Sequence, residues 1–198
     1  MNRKKNGAES IKEQPVSYDM YMKMPDDGAR YEIVDGNLEM MSPAPSTTHQ
    51  AVSGELEFIV KQSCKSDYLI FHAPVDVILS KTNVLQPDIL LIHRSRLEIV
   101  TEHGIEGPPD LVVEILSPGS RSRDKITKMK TYAKYDVPEY WIVDTSSRTL
   151  EQYRLMDAEK LYVLHNLFEG DETVTSDKMS CISFTISAIF SEILNLDH

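Results

Sequence analysis

Asp88 and Glu114 are the acids in this sequence best placed for chemistry, because each stands within a short apolar run. Asp88 lies in PDILLI and Glu114 in DLVVEIL. Runs that are apolar at nearly every position are typical of strands buried on both faces. Burying an unpaired carboxylate costs on the order of several kcal/mol, so each acid requires a partner.

A divalent cation is one such partner, since Mg²⁺ prefers oxygen ligands and often takes one or two carboxylates. We therefore predict that Asp88 and Glu114 lie on adjacent strands and face one pocket. A metal held there could polarise a phosphodiester and lower the pKa of an attacking water. The alternative from the residues alone is that each acid lies at a strand end, solvated or paired with an Arg or Lys.

A basic helix is predicted from Asp124 to about Tyr135, soon after Glu114. Asp124, Lys128 and Tyr132 are spaced i, i+4 and i+8 and so lie roughly on one face. Asp124 also suits a helix start, with Lys128 as its ordinary i+4 partner and Tyr132 as a half-buried packing residue. The spacing by itself leaves both interpretations open.

The elements that would position these residues alternate in type. A hairpin is predicted over 31–41, turning at Asp35-Gly36-Asn37, and a helix over 49–63 follows hydroxyls suited to an N-cap at 43–48. Further strands are predicted over 68–72, 75–79, 86–93, 110–116 and 139–143, with a late hairpin at 149–154 and 161–166 and a strand or helix at 184–194. This order favours an α/β or α+β domain with one central sheet.

Composition indicates an ordinary globular domain: 198 residues, 41% hydrophobic and 26% charged. We expect a flexible polar tail over 1–16 and a single domain over 17–198. The net charge of −10 argues against a broad basic nucleic-acid surface but permits a local basic groove. Neither a membrane span nor a signal peptide is evident, so a cytoplasmic protein with Cys64 and Cys181 as free thiols is expected.

Six pieces in this order and spacing resemble the Uma-type (Uma two) family of restriction endonucleases, within the PD-(D/E)XK nuclease superfamily. They are YEIVDG at 31–36, HQ at 49–50, QPDILLI at 86–92, PPDLVVEILSP at 108–118, RDKITKMKTY at 123–132 and VPEYWIVD at 137–144. The resemblance implies a restriction-endonuclease-like core with a mixed central sheet flanked by helices. It also implies that Asp88 and Glu114 bind Mg²⁺ or Mn²⁺ and that the substrate is DNA.

The sequence departs from the superfamily pattern at Leu116, where a lysine is expected two residues after Glu114. The resemblance suggests that this lysine has moved to the helix as Lys128, where it would position water or stabilise charge on the phosphate. Its rivals are Lys125, ranked second, and Lys130. We expect Ile126, Met129 and Ala133 to face the sheet, with Lys128 at the edge of that face.

A second departure is Asp136, where the family usually has the glycine that suits the left-handed end of a helix. Glu32 and His49 match other recurrent family positions. Glu32 is a supporting acid or a polar hairpin residue, and His49 orders the site, contacts phosphate or merely starts its helix.

Asp124 and Tyr132 complete the supporting candidates, whereas Tyr140 and Trp141 are expected to pack the sheet rather than stack on bases. No HxxxH or CxxC spacing indicates a zinc site.

Two functions follow from these features. The first is a metal-dependent endonuclease that hydrolyses DNA phosphodiester bonds, working as a homodimer by analogy with enzymes that cut both strands. The second is a catalytically inactive nuclease-fold protein that acts as a DNA-binding or protein-interaction module. The acids Asp88 and Glu114 with Lys128 favour the first, and the acidic balance with Leu116 favours the second.

Overall fold

The fold is seen in a computed structural model, which describes residues 14–41, 44–117 and 119–193. Its helices are α1 Tyr18–Tyr21, α2 Thr47–Cys64 and α3 Met129–Lys134, with 3₁₀ turns at Arg94–Ile99 and Ile186–Phe190 and a π-helical turn at Arg123–Lys128. Its strands are β1 Tyr31–Val34, β2 Asn37–Met40, β3 Tyr68–His72, β4 Val77–Ser80, β5 Asn83–Leu85, β6 Ile89–His93, β7 Leu111–Leu116, β8 Glu139–Asp144, β9 Thr149–Met156, β10 Leu161–Phe168, β11 Thr173–Thr175 and β12 Ser183–Thr185.

A mixed six-stranded sheet, in the order β10-β9-β8-β7-β6-β3, forms the centre of the domain. β7 and β8 pair in parallel, whereas the other neighbours pair antiparallel. Every residue of β7 and β8 is buried, because both faces of the sheet are covered. This explains why these strands lack the polar alternation of a half-exposed strand. The expected α+β class with a mixed central sheet is confirmed.

Two apolar layers lie on opposite faces of this sheet. On one face, Val52 and Leu56 of α2 pack with Val113 and Trp141. On the other face, Tyr132 of α3 packs with Val112, Tyr140 and residues of a smaller four-stranded sheet. The helix after β7 is therefore held against the face that carries Glu114.

The smaller sheet has the order β2-β1-β5-β4 and contains the predicted hairpin. Asp35 and Gly36 have φ of 46° and 80°, the left-handed conformation that a tight type I′ hairpin turn requires. β5 was not predicted, because its three residues are too few for a period-2 pattern. The sheet matters for the site because β1 carries Glu32.

The expectation of free thiols is wrong for this structure, since Cys64 and Cys181 form a disulfide with their Cα atoms 5.2 Å apart. The C-terminal end of α2 and the segment after β11 pack against the same side of the central sheet, where both cysteines meet one apolar cluster. Their separation of 117 residues hid this proximity from the sequence.

The segment after β7 is helical as predicted, but its facing is partly wrong. Ile126 is 51% exposed, although Ala133 is buried as expected. A π-helical turn makes i→i+5 hydrogen bonds and rotates successive side chains by less than the α-helical 100°. Lys128 is therefore buried rather than at the edge of the buried face, and Tyr132 is fully rather than half buried.

The remaining boundaries differ modestly from the expectations. Most of the expected 1–16 tail lies outside the described residues, as do positions 43, 118 and 194 of three predicted segments. Within the described part, the Val16 amide donates to the Gly36 carbonyl at 2.8 Å. Over the same ranges, no helix combines the length and apolar character needed to cross a bilayer.

Candidate functional site

Asp88 immediately precedes β6, which pairs antiparallel with β7 in a register that matches Ile89 with Val113. The next step of this register brings Asp88 beside Glu114. One carboxylate oxygen of Asp88, Oδ2, accepts hydrogen bonds from the Ile115 amide at 2.7 Å and from His49 Nε2 at 3.1 Å. Asp88 thus lies at a strand end, with a side chain 20% exposed.

Glu114 lies in the middle of β7, with a side chain only 3% exposed. The Lys128 ammonium donates to its two oxygens at 3.0 and 3.1 Å, and the Tyr132 hydroxyl donates at 3.4 Å. Pairing with a lysine, the alternative that the sequence left open, is therefore what holds Glu114 in this structure.

Lys128 is shared among three acids. Its Nζ lies 3.0 Å from Glu32 Oε1 and 3.7 Å from Asp124 Oδ1, in addition to the Glu114 contacts. We call Glu32, Glu114, Asp124 and Lys128 the Lys128 cluster; counted over the whole residue, backbone included, each is at most 2% exposed. The predicted supporting acids Glu32 and Asp124 thus meet at Lys128.

Glu32 reaches the cluster from β1 of the smaller sheet. The backbone amide of Gln86 donates to Glu32 Oε1 at 2.9 Å, and Arg123 Nη1 lies 3.7 Å from Oε2. Gln86 was not predicted to be part of the site, and its only signal in the sequence is that it stands two residues before Asp88. The π-helical turn brings Arg123, Asp124 and Lys128 into this arrangement, and such turns occur frequently at functional sites.

One ammonium cannot neutralise three buried carboxyl groups, and the ionisation of the cluster reflects this. Burial lowers the pKa of Lys128, but the surrounding Glu114, Glu32 and Asp124 outweigh it and raise that pKa, so the ammonium is retained. Burial also raises the pKa of Glu114 and of Asp124, because neither acid has a counter-charge to itself. The cluster is short of positive charge.

His49 lies in the first turn of α2 and links this helix to Asp88. Burial lowers its pKa, but the hydrogen bond and charge of Asp88 outweigh burial, and the net shift is upward. Ser46 caps the helix by accepting from the His49 amide. His49 is therefore both a helix-start residue and a direct partner of Asp88.

A cavity of about 580 Å³ opens over these residues. Asp88, Glu114, Lys128, His49 and Asp124 all line it, as predicted for the two acids. Glu32 and Tyr132 hold cavity-lining residues from behind. The rim also carries basic and hydroxyl groups that the sequence did not bring together: Arg30, Arg123, His72, Ser46, Ser53, Ser117 and Ser120.

The rival lysines lie elsewhere. Lys125 pairs with both oxygens of Glu151 on β9, at 2.7 and 2.9 Å, and Lys130 is exposed. Tyr140 and Trp141 are fully buried in the sheet, as expected of packing residues. The Tyr140 hydroxyl also donates to the Asp124 carbonyl at 3.0 Å, which ties the helix start to β8.

Oxygen ligands for a hard cation are available at this site. The carboxylates of Asp88 and Glu114 line the cavity, and beside them Asp124 Oδ1 is buried without a hydrogen-bond partner, which is an environment that a cation would satisfy. Within the described ranges, no three His, Cys, Asp or Glu side chains are already arranged as a metal site. The residues fit Mg²⁺ or Mn²⁺, which often take only one or two carboxylates and fill other positions with water and substrate phosphate.

Comparisons with known proteins agree with this architecture. The model of the Uma2 family, described as "Putative restriction endonuclease", matches residues 18–187. Among solved structures, the chain is similar to a protein from Anabaena variabilis ATCC 29413, described as "a putative nuclease belonging to DUF820". That match has a TM-score of 0.73 and 21% identity, and covers 89% of this chain and 98% of the other. A comparison with curated proteins finds no match.

Proposed function

This chain belongs to the Uma2 family of nucleases, and from this membership and the site we propose that it is a metal-dependent endonuclease that hydrolyses DNA phosphodiester bonds. The observation that carries the proposal is that Asp88, Glu114 and Lys128 line one cavity. Such a combination of two acids and a lysine suits phosphodiester hydrolysis, in which charge develops on a phosphate.

Asp88 and Glu114 are the proposed ligands of Mg²⁺ or Mn²⁺. When bound, the metal would polarise the phosphodiester and make water a better nucleophile. His49 and the Ile115 amide hold Asp88 in place through its Oδ2 atom. Tyr132 donates to Glu114 and so restricts the orientation of that carboxyl group.

Lys128 is the proposed catalytic lysine, which would stabilise negative charge on the reacting phosphate. A flexible ammonium can act from a neighbouring element, so the replacement of the expected lysine by Leu116 does not remove this role. Glu32 and Asp124 act as positioning residues, because both contact the Lys128 ammonium.

DNA backbone phosphates are the proposed occupants of the cavity rim. The N-terminal turn of α2 contributes Ser46, His49 and Gln50 to the lining and contains no acid. A helix N-terminus carries partial positive charge that favours phosphate. Arg30 and Arg123 add full positive charges beside it, so this part of the rim can attract phosphate although the chain has a net charge of −10.

A homodimer is part of this proposal, and so is a cytoplasmic location, in which the Cys64–Cys181 disulfide would be unusual. Cleavage of both DNA strands is simplest with two copies of one active site, and a dimer with twofold symmetry matches the symmetry of duplex DNA. Sedimentation of the purified protein with and without a short duplex tests the dimer.

The direct test is cleavage of a closed circular plasmid with Mg²⁺ or Mn²⁺, because nicking or linearisation of a circle requires an endonuclease. We expect wild type to cut and Asp88→Ala to be inactive, with Glu151→Gln as a control acid outside the cavity. Single-stranded DNA and RNA of the same sequence test the preference for duplex DNA. A wild-type protein that cleaves none of these substrates with either metal would contradict the proposal.

The alternative is a nuclease-fold protein without activity that binds DNA or another protein. Its specific support is that Lys128 engages both Glu114 oxygens and so occupies the carboxylate that a metal would need. Retention of duplex DNA in EDTA by a protein that never cleaves would favour this alternative.

A further inference from the structure

The Lys128 ammonium is the cation that pairs with Glu114 in this structure. It donates to Oε1 at 3.0 Å and to Oε2 at 3.1 Å, so both carboxylate oxygens of Glu114 already have a protein partner. Lys128 and Glu114 are each 2% exposed, and water does not screen this contact. A divalent ion bound to the same carboxyl group would lie against Nζ, and two cations that close would repel each other strongly.

We infer that the Lys128 ammonium and a divalent cation exclude each other at Glu114, so that Lys128 leaves this carboxylate when the cation binds. This inference rests on the proposed function, because it takes Glu114 as a metal ligand. It adds that Lys128 is the internal competitor of the metal, and that the metal-free protein holds its catalytic lysine in an ion pair.

The cluster can accommodate this exchange without expelling Lys128. Glu32 Oε1 lies 3.0 Å from Nζ and Asp124 Oδ1 lies 3.7 Å away. Both acids also have a buried oxygen without a hydrogen-bond partner, Glu32 Oε2 and Asp124 Oδ1, and can therefore take up more positive charge. Lys128 can let go of Glu114, keep two acidic partners and remain beside the cavity that it lines.

The exchange links metal binding to the availability of the lysine. With Glu114 bound to Lys128, the ammonium is turned towards the protein and is not free for a phosphate. Once a cation takes Glu114, Lys128 is held by two acids instead of three and can reach the cavity with its long stem. The Lys128 ammonium therefore becomes available to a phosphate only when the divalent cation is bound.

Calorimetric titration with MnCl₂ alone, without DNA, tests this exclusion. We expect Lys128→Met and Lys128→Gln to bind Mn²⁺ at least about tenfold more tightly than wild type, because the competing charge is removed. Lys128→Arg retains a cation and should bind Mn²⁺ much as wild type does. Lys125→Met, whose lysine pairs with Glu151 away from the cavity, should be unchanged.

The double variant Lys128→Met/Glu114→Gln should lose the tighter Mn²⁺ binding expected of Lys128→Met. This loss would show that the competition occurs at Glu114. Should Lys128→Met unfold in EDTA, recovery of its circular dichroism on addition of MnCl₂ supports exclusion, and Lys128→Gln supplies the affinity. Mn²⁺ affinity in Lys128→Gln no higher than in wild type overturns the inference. Cleavage by wild type separates the two proposals, since a wild type that cuts with no affinity gain in the variants refutes only the exclusion.

Discussion

Removal of the buried Lys128 ammonium should be among the most destabilising charge removals in this protein. Lys128→Ala leaves three carboxyl groups, each in a residue at most 2% exposed, without the ammonium that they share, and Arg123 lies 3.7 Å from Glu32 alone among the described ion pairs of these acids. Removing one partner of a buried ion pair typically costs about 3–5 kcal/mol, because the remaining charge is desolvated and unpaired. Domains have a free energy of unfolding of about 5–15 kcal/mol, so this loss is a large fraction of the total.

Lys125→Ala is the matched control, since Lys125 is three residues away and also forms a bidentate pair. Its side chain is 28% exposed and Glu151 is 18% exposed, and such an ion pair contributes about 0–1 kcal/mol. The expected difference between the two variants is therefore about 2–5 kcal/mol. For a chain of this size it corresponds to a difference in Tm of roughly 4–20 °C.

Urea unfolding in EDTA, followed by circular dichroism, measures this difference without interference from metal binding. The same two variants should differ in plasmid cleavage, with Lys128→Ala inactive and Lys125→Ala active. A stability loss below about 1 kcal/mol for Lys128→Ala would refute the reasoning, because it would mean that the three carboxyl groups do not depend on the ammonium. Full cleavage by Lys128→Ala would separately remove Lys128 from the catalytic role.

Three further predictions follow from other contacts. Because Asp88 raises the folded-state pKa of His49 above its ordinary 6.5, the stability lost in His49→Gln should be largest below pH 6.5 and should shrink as pH rises through the raised pKa. Urea unfolding across this pH range measures the loss, and a loss that does not change with pH would contradict the prediction. The Cys64–Cys181 bond closes a segment of 117 residues, so its reduction should lower the free energy of unfolding by up to about 4–5 kcal/mol; two titratable thiols in unreduced, denatured protein would disprove the bond. Asp136 has a φ of 65°, so Asp136→Gly should relieve backbone strain and raise the free energy of unfolding by up to about 1 kcal/mol. A lower Tm for this variant would show that the ion pair between Asp136 and Lys160 outweighs the strain.

The local elements were predictable because their signals are local. The Asp35-Gly36 turn, helix α2 and the strands around Asp88 and Glu114 each follow from turn chemistry, capping or a continuous apolar run. Two acids in such runs were enough to predict neighbouring strands and a shared cavity. Most of the fold, and the identity of the principal candidates, could therefore be read from the sequence with the help of the family resemblance.

The pairing of charges was not predictable, because it depends on how distant elements pack. Glu32 comes from a different sheet, and only packing brings it to Lys128, which is 96 positions later in the chain. The π-helical turn changed the facing of Ile126 and Lys128, since the 3.6-residue period assumed from the sequence does not hold there.

The sequence by itself determined which residue types could do chemistry and which strands would carry them. Only the tertiary structure decided that Glu114 is paired with Lys128, that His49 holds Asp88, and that Cys64 meets Cys181. The physical reason is that periodicity specifies which face of an element is buried, whereas an ion pair or a disulfide requires two elements to approach within a few ångströms. That approach is set by the packing of the whole core around β7 and β8.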